Sequence, residues 1–369
     1  MEHSKQRDDQ QVVTVLFITH KYQNRFDGDR RLALAHYCAV GAGQAHGLDV
    51  RCHYFDVPEE SDPITNDVDL IVVTPLVTPA GSHPAPESFK SSRRPVIGLW
   101  LESAPNVVAH ADMYAPYVTA NVFIDTADHW KQFTKYPEKT FWVPEPKDPR
   151  VFYSDDAIER TIPVSFGGTL VSRPDRAMNI GWLLSGGVNV RVYGGLYGED
   201  NPVSEYADVL RRSQIGLNFT SAVSFQQLKG RTGETLLCGA LLMEPHCSTT
   251  AQLLEPYVHY VPFEEFFHLE EEPPHDLVIG NKKDLVEKIR HYIGPGQAEA
   301  RIIARQGHER AVELFDGRLF WRRIFDIAIA GWTKKKTRKA ATKTTKEQTK
   351  MKKRRKTNET ANYYGQQQF

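Results

Sequence analysis

Three charged side chains lie close together in a polar segment that leads into an apolar run. Lys229, Arg231 and Glu234 lie within Gln226–Pro245, where a glycine-bearing loop precedes a predicted short helix over Gly233–Leu237 and a buried strand. The first turn of a helix offers free backbone N–H groups and the positive end of the helix dipole, which favour a phosphate group. An i, i+3 spacing puts Arg231 and Glu234 on one helix face. The segment therefore indicates a phosphate-binding site, with a surface salt bridge as the alternative.

Glycines and arginines follow other predicted strands of the same half of the chain. Gly167 and Gly168 come directly after a buried strand, where glycine allows a ligand to approach the backbone closely. The other candidates at this edge are Arg173, Arg176, Tyr193 and Gly194. A guanidinium suits bidentate recognition of phosphate, and the tyrosine and glycine end a strand where they would border a nucleobase. The alternative is ordinary turns with solvated arginines.

Imidazole and carboxylate groups follow strands in the first half of the chain. The candidates are His20, Glu102, Asp125, Asp128 and His129. Any of them within hydrogen-bond reach of a hydroxyl could act as a general base. Glu102 and Asp125 are preferred because each follows a strongly apolar strand, although a structural role is the alternative for every one of these residues.

Two further patterns resemble ligand-binding motifs without the context that those motifs need. Asp67-Val68-Asp69 has the form of a metal-binding DxD, but it precedes its strand and would lie at the wrong edge of the sheet. The glycines Gly41, Gly43 and Gly47 follow a predicted helix rather than a strand, so they indicate a helix end. We therefore predict no metal site.

Alternating strands and helices must position these candidate groups. The first half has short apolar runs typical of buried parallel strands, at Val12–Thr19, Asp49–Phe55, Asp69–Thr74, Pro95–Trp100 and Asn121–Asp125. A second series begins at Val164–Phe166 and continues at Val188–Tyr193, Ile215–Phe219, Ala240–Met243 and Tyr257–Val261. This alternation predicts an α/β protein with two Rossmann-like, doubly wound domains.

Three prolines in the twelve residues Phe141–Phe152 interrupt the alternation and indicate an interdomain linker. The predicted organisation is a first domain over 1–140, a linker over 141–155, a second domain over 156–315, a C-terminal helix over 316–332 and a basic tail over 333–369. The C-terminal helix, rich in aromatic residues, is expected to pack back across both domains.

The balanced overall charge hides two unlike parts. Of 46 basic and 46 acidic residues, the 37 residues from Thr333 to Phe369 hold 13 basic and two acidic ones, a net charge of +11 against −11 for the remainder. With 40% hydrophobic and 25% charged residues among 369, the chain is not a collagen-like, fully disordered or disulfide-scaffold protein. Four cysteines without CxxC spacing, a polar N-terminus and apolar runs too short to span a bilayer lead us to expect a cytoplasmic or nuclear protein with reduced thiols.

The basic tail has almost no apolar content. Residues 334–356 alternate Lys and Arg with Thr and Ala, so this segment is expected to be disordered. Its charge could bind nucleic acid or another polyanion, and Lys352–Lys356 could act as a nuclear address. The alternative is a merely solvated extension.

The spacing from Arg231 through Glu234 to Gly239 resembles the R-x-x-E-x-x-x-x-G signature of the spore-maturation-protein-like (CgeB-like) branch of the group-1, family-4-like glycosyltransferases. Other segments of residues 140–330 are similar to that family in the same order. They are the strand and glycine turn at Val164–Arg173, the strands at Val188–Gly194 and Ile215–Phe219, the helix Asp284–Ile289 and the linker pattern Pro144–Phe152.

The resemblance implies a GT-B fold, with a nucleotide-diphosphate sugar bound by the second domain and an acceptor by the first. It implies sugar transfer to a hydroxyl with retention, without a metal or other cofactor, with the donor's own phosphate able to serve as base. Arg231 would contact the diphosphate and Glu234 the hydroxyls. Gln226 departs from the pattern, because many members carry a carboxylate there. The alternative is a degenerate GT-B scaffold that binds nucleic acid through its tail, and UDP and GDP donors are both open.

Overall fold

The computed structural model describes residues 12–20, 34–55, 67–78, 81–101, 104–125, 129–168, 170, 173–194, 202–219, 228–245, 249–264, 267–269, 277–280 and 283–333. Within these ranges the chain forms two parallel sheets, each with helices packed on it. This confirms the predicted α/β fold of two doubly wound domains.

The first sheet contains six parallel strands and a small separate hairpin lies beside it. The strands are β1 Thr14–Thr19, β2 Asp49–Tyr54, β3 Leu70–Val73, the hairpin strands β4 Leu76–Thr78 and β5 Gly81–His83, then β6 Val96–Trp100, β7 Ala120–Phe123 and β8 Thr140–Trp142. Their order is β2-β1-β3-β6-β7-β8, so the direction of winding reverses beside β1. Apolar side chains on β3, β6 and β7 are buried throughout, as expected of strands covered on both faces.

The second sheet repeats this plan with five parallel strands. They are β9 Ile162–Gly167, β10 Val190–Tyr193, β11 Ser213–Leu217, β12 Leu241–Pro245 and β13 Val261–Phe263, followed by a hairpin of β14 Phe267–Leu269 and β15 Leu277–Ile279. The order β10-β9-β11-β12-β13 reverses beside β9. Open α/β sheets bind ligands at the carboxyl ends of the strands at such a reversal, which makes the ends of β9 and β11 the expected binding position.

The helices cover these sheets and close the molecule. They are α1 Leu34–Ala45, α2 Pro105–Tyr114, α3 Pro174–Ser185, α4 Val203–Arg211, α5 Gly230–Leu237, α6 Asp284–Ile293, α7 Gln297–Phe315 and α8 over residues 317–333. The chain crosses back to the first domain between α7 and α8. Trp321 of α8 donates from Nε1 to the Ala39 carbonyl of α1 at 3.0 Å, and Ile324 is fully buried in the first domain's core. The last helix thus returns to the first domain, whereas packing across both domains was expected.

Three of the differences between predicted and observed bounds concern β13, α5 and the linker. The strand expected at Tyr257–Val261 lies at β13, because Pro256 and Tyr260 close a turn with Tyr257 at a φ of 61°. The helix expected from Gly233 begins at Gly230, one turn earlier. The segment assigned to the linker from residue 141 contributes Phe141 and Trp142 to β8 at the edge of the first sheet, so the crossing begins after them.

Both patterns that the sequence analysis set aside lie where that analysis expected. Asp69 precedes β3 and accepts a hydrogen bond from the Thr14 amide at 3.0 Å, at the amino edge of the first sheet. Gly41 and Gly43 lie inside α1, and Gly47 follows it at a φ of 82°. No helix in the described ranges combines the length and the apolar character needed to cross a membrane.

Candidate functional site

Glycine backbone forms the floor of the second sheet's reversal point. Gly168 follows β9 with a φ of 139°, and its amide donates to the Tyr193 carbonyl at the end of β10 at 2.9 Å. Gly194, at a φ of 107°, packs so closely that a Cβ there would lie 3.3 Å from the Gly168 amide nitrogen. Because neither position carries a side chain, the backbone at the carboxyl ends of β9 and β10 can pack this closely.

Arg231 lies directly over this floor. It is in the first turn of α5, and a Cβ added at Gly168 would come within 2.8 Å of its Nη1 atom. Its Nε donates to the Asn218 side-chain oxygen, just after β11, at 3.0 Å, and its Cζ lies 5.6 Å from the centre of the Phe166 ring. The guanidinium therefore spans the ends of β9 and β11, at the position where the fold favours a ligand.

A chain of hydrogen bonds fixes the direction in which Arg231 is held. The Asn218 amide nitrogen donates to the Thr232 hydroxyl at 3.1 Å, and that hydroxyl donates to the Glu244 carboxylate at 2.9 Å. Thr250 donates to the other oxygen of Glu244. Since the carboxylate only accepts, each group along the chain has one orientation, and the Asn218 oxygen is left facing Arg231.

Glu234 lies one turn further along α5 and is held at both oxygens. Oε1 accepts from the Lys147 Nζ at 2.8 Å and Oε2 accepts from the Tyr206 hydroxyl at 2.9 Å. Lys147 also contacts Glu145. The exposed fractions of the Lys147 and Glu234 side chains are 0% and 2%. The expected carboxylate is thus beneath the surface of the domain, in a paired cluster rather than at a solvated helix end.

Burial and charge set the protonation states of this cluster. Burial alone would lower the pKa of Lys147, but the Glu145 and Glu234 carboxylates outweigh it and hold the pKa above its ordinary value. Burial, and then the nearby Glu234 charge, raise the pKa of the Tyr206 hydroxyl well above its usual range. Lys147 therefore stays charged and Tyr206 stays protonated, so both act as donors to Glu234.

The remaining candidates of the second domain have other partners. The Arg173 Nε donates to the Asp175 carboxylate at 2.9 Å, and both side chains are buried, so this guanidinium is committed to α3. Arg176 is buried as well and reaches the Phe219 carbonyl at 3.3 Å. The Tyr193 ring stacks on Tyr206 at 5.5 Å. Lys229 is the residue before α5, and Gln226 lies outside the described residues.

At the reversal point of the first sheet, the described residues present imidazole side chains. His20 follows β1, and the Thr19 hydroxyl contacts the Nδ1 atom of His36 at 3.0 Å. Asp125 follows β7, and its backbone carbonyl accepts from the Leu228 amide at 3.0 Å, which brings this edge to the start of α5 in the other domain. Glu102 and Asp128 lie outside the described residues, as does the side chain of His129.

Several site residues gave no local signal in the sequence. Lys147 is 87 residues from Glu234 and lies in a proline-rich linker, and Tyr206 has the spacing of an ordinary core residue of α4. Asn218 was detectable, because it directly follows a buried strand as Gly168 does. Among the described residues no cluster of three or more His, Cys, Asp or Glu side chains is arranged to hold a metal ion.

Part of the second domain is similar to a known protein family. Residues 179–326 match the model of a family described as glycosyl transferase-like. No curated protein matches the sequence significantly.

Solved glycosyltransferase structures share the two-domain arrangement. HepE of Anabaena in complex with UDP-glucose superposes with a TM-score of 0.56 at 12% identity, over 85% of this chain and 98% of that one. A glycosyltransferase of Rickettsia africae gives a TM-score of 0.54 at 10% identity, over 87% and 99%. T4 phage β-glucosyltransferase gives 0.52 at 11% identity, over 86% and 99%. The GT-B fold expected from the sequence is therefore confirmed.

Proposed function

We propose that this protein is a glycosyltransferase that moves a sugar from a nucleotide-diphosphate sugar to an acceptor hydroxyl. The observation that carries the proposal is the position of Arg231. Its guanidinium lies over the backbone of Gly168, which has no side chain, at the reversal point of the second sheet. A cation above half-buried glycine backbone suits a diphosphate. The spacing from Arg231 to Gly239 supports assignment to the spore-maturation-protein-like branch.

The chemistry follows from where charge develops. As the bond between the anomeric carbon and the diphosphate oxygen breaks, negative charge grows on the leaving group, and a preorganised guanidinium stabilises it. A bond to the acceptor oxygen forms, and the hydroxyl proton passes to a base, which the departing phosphate itself could supply. The Glu234 carboxylate has about four lone-pair positions. Lys147 and Tyr206 fill two of them, and donor hydroxyls would occupy others.

The acceptor is assigned to the first domain, with Asp125, His20 and Glu102 as candidate bases. Asp125 is the best supported, since its backbone contacts Leu228 immediately before α5. We propose transfer of the hexosyltransferase type with retention, as the family resemblance implies. We also propose that no metal is needed, because Arg231 supplies a positive charge at the leaving group. UDP is the first nucleotide to test, since HepE of Anabaena has been solved with UDP-glucose.

Thermal unfolding in the presence of UDP, GDP and ADP tests donor binding. A ligand at about 100 times its Kd stabilises the folded state by about 2.7 kcal/mol. We expect one nucleotide to raise the Tm, and Arg231→Ala to abolish that rise. Arg212→Ala removes a half-exposed arginine at the end of α4 and serves as the matched control. Release of free nucleotide from a panel of nucleotide sugars, with and without a chelator, then identifies the donor and tests metal dependence.

Two outcomes would overturn the donor site. One is a wild-type protein that none of the three nucleotides stabilises. The other is an Arg231→Ala variant that is stabilised as much as the wild type. A scaffold without transferase activity would be supported if no nucleotide sugar is turned over while polyanion binding persists.

The basic tail is proposed as a contact for nucleic acid or another polyanion. Its net charge of +11 stands against −11 for the rest of the chain, and residues 334–356 contain no aromatic side chains for stacking on bases. Removal of residues 334–369 should abolish a salt-dependent gel shift of duplex DNA and leave nucleotide stabilisation unchanged. A cytoplasmic or, through Lys352–Lys356, nuclear location is part of the same proposal.

A further inference from the structure

A buried cation lies in the segment that joins the two domains. The Lys147 side chain is 0% exposed, and its Nζ reaches Glu145 in the linker and Glu234 in α5, the latter at 2.8 Å. Burying a charge is costly unless it is paired and hydrogen-bonded. The Lys147 ammonium is paired with two carboxylates, one from the linker and one from the second domain. This ion pairing ties the linker to the second domain, as apolar contacts alone would not.

Backbone contacts fix the position of Lys147, and a glycine leaves room for its ammonium group. Its backbone amide donates to the Phe315 carbonyl at 3.2 Å, and it pairs with Asp316, where α7 gives way to α8. The outgoing and returning crossings between the domains are thus bonded together at Lys147. At the other end, a Cβ on Gly230 would lie 2.8 Å from Nζ and 3.0 Å from the Glu234 Oε1, so the glycine at the start of α5 leaves room for the pair.

The groups that face the Lys147–Glu234 pair come from four elements. They are Glu145 of the linker, Tyr206 of α4, Arg231 and Cys238 at the two ends of α5, and Cys38 of α1. Burial raises the pKa of Glu145, and burial raises the pKa of the Cys38 thiol to about 12. The thiols are therefore neutral near pH 7, and Lys147 is the cation that directly contacts the Glu234 carboxylate among the described residues.

We propose that Lys147 is a positioning residue that couples the interdomain linker to the nucleotide-sugar site by holding the Glu234 side chain in place. This inference rests on the proposed function for its ligand. Movement of the linker displaces the ammonium from Glu234, and a bound donor that uses Glu234 holds the linker in turn. The position of the Glu234 carboxylate thus depends on the position of the linker.

Lys147→Met in the full chain tests this coupling. UDP affinity, measured by calorimetry, should fall by about tenfold or more, as for other buried charge pairs that lose one partner. Lys288→Met is the matched control, since it breaks an ion pair with Asp284 in α6 away from the site.

Gly230→Ala provides a second route should Lys147→Met fail to fold. The added Cβ displaces Nζ without removing any charge, and alanine is favourable in a helix. We expect a loss of UDP affinity of about threefold to tenfold for this variant. Unchanged UDP affinity in a folded Lys147→Met or in Gly230→Ala would overturn the inference.

Amide hydrogen exchange separates this inference from the proposed function. Lys147→Met, or Gly230→Ala in its place, should increase exchange both in residues 143–152 and in the first turn of α5, without any nucleotide present. If both segments loosen while wild type binds no nucleotide, the coupling holds and the proposed donor is wrong. If exchange changes in neither segment, the coupling itself is wrong.

Discussion

The two sheets reverse their winding in the same way but present opposite surfaces there. After β9, Gly168 and Gly194 lie against each other with positive φ angles, and Arg231 lies above them. After β1, the described residues present two imidazoles, with His20 at the strand end and His36 in contact with Thr19. One reversal point can admit a group that must approach the main chain, and the other offers side-chain atoms.

This difference assigns different tasks to two similar domains. Backbone amides and a guanidinium recognise an anion such as a diphosphate whatever it is attached to. Imidazoles and carboxylates recognise individual hydroxyls and exchange protons with them. The residues that follow the first strand of each sheet thus support the proposed division into donor and acceptor domains.

The largest loss of UDP affinity is expected when a side chain is added at Gly168. Gly168→Ala puts a Cβ within 2.8 Å of the Arg231 Nη1 atom at a φ of 139°, where an L-residue is strained by about 1–3 kcal/mol. We expect UDP affinity to fall by about a hundredfold, since displacement of Arg231 adds to the blocked approach. Calorimetric titration of the folded variant measures the loss.

Gly187→Ala is the control that separates the effect of backbone strain from that of the contact with Arg231. Gly187 has a φ of 77° and nothing within 4 Å of an added Cβ. It should lower the free energy of unfolding by about 1 kcal/mol and leave UDP affinity unchanged. Equal losses of affinity in both variants would mean that the glycine floor has no special relation to the ligand.

The sequence allowed much of this contrast to be predicted, because the groups that carry it are local. Gly168 and Arg231 were predicted from their places after a buried strand and before an apolar run. Lys147 and Tyr206 were not, since their roles depend on a meeting with Glu234 that only tertiary packing creates. Glu234 was predicted to share a helix face with Arg231, with a surface salt bridge as the alternative; it is instead buried between these two partners.

The predicted bounds of elements were wrong where an apolar stretch forms a turn, or where prolines directly follow a strand. Residues 257–260 are apolar or aromatic enough to suggest a strand, yet the Tyr257 amide bonds to the Tyr260 carbonyl at 2.7 Å and closes a turn. Phe141 and Trp142 were assigned to the linker because prolines follow them, although their pairing with β7 makes them an edge strand. Prolines mark where a strand ends more reliably than where a linker begins.

The reversal point of the first sheet should make the stability of the protein sensitive to acid, through His36. Burial, and then the nearby His20 charge, lower the pKa of His36 to about 3 from its ordinary 6.5. The unfolded chain therefore binds more protons between those values, so stability is present above pH 6.5 and is lost as the pH falls toward 3. The loss should approach about 1.4 kcal/mol per pH unit. Urea denaturation at about pH 7.5 and about pH 5.5 measures it.

His36→Gln should flatten this dependence of the free energy of unfolding on pH. His291→Gln removes a half-exposed imidazole from α6 in the second domain and should leave the slope as in the wild type. If the slope below pH 6.5 survives in His36→Gln, the acid sensitivity arises elsewhere and the first reversal point is not its source.

The smallest effect is expected from the hydrogen-bond chain that orients Arg231. Thr232→Val removes the hydroxyl that links Asn218 to Glu244, at 3.1 and 2.9 Å, and so frees the amide to rotate. The guanidinium remains, with one of its partners less fixed. A lost hydrogen bond of about 1 kcal/mol corresponds to UDP binding about fivefold weaker, and titration calorimetry resolves this difference.

Thr235→Val is the matched control, because Thr235 is equally buried in the same helix and its side chain packs against Gly216 of β11. The two substitutions remove the same atoms from α5, so a difference in UDP affinity between them reports the chain to Arg231 rather than helix stability. If Thr232→Val binds UDP as tightly as Thr235→Val, Arg231 is held by Phe166 and the ligand alone. The second reversal point would then need only its glycines and one cation to differ from the first.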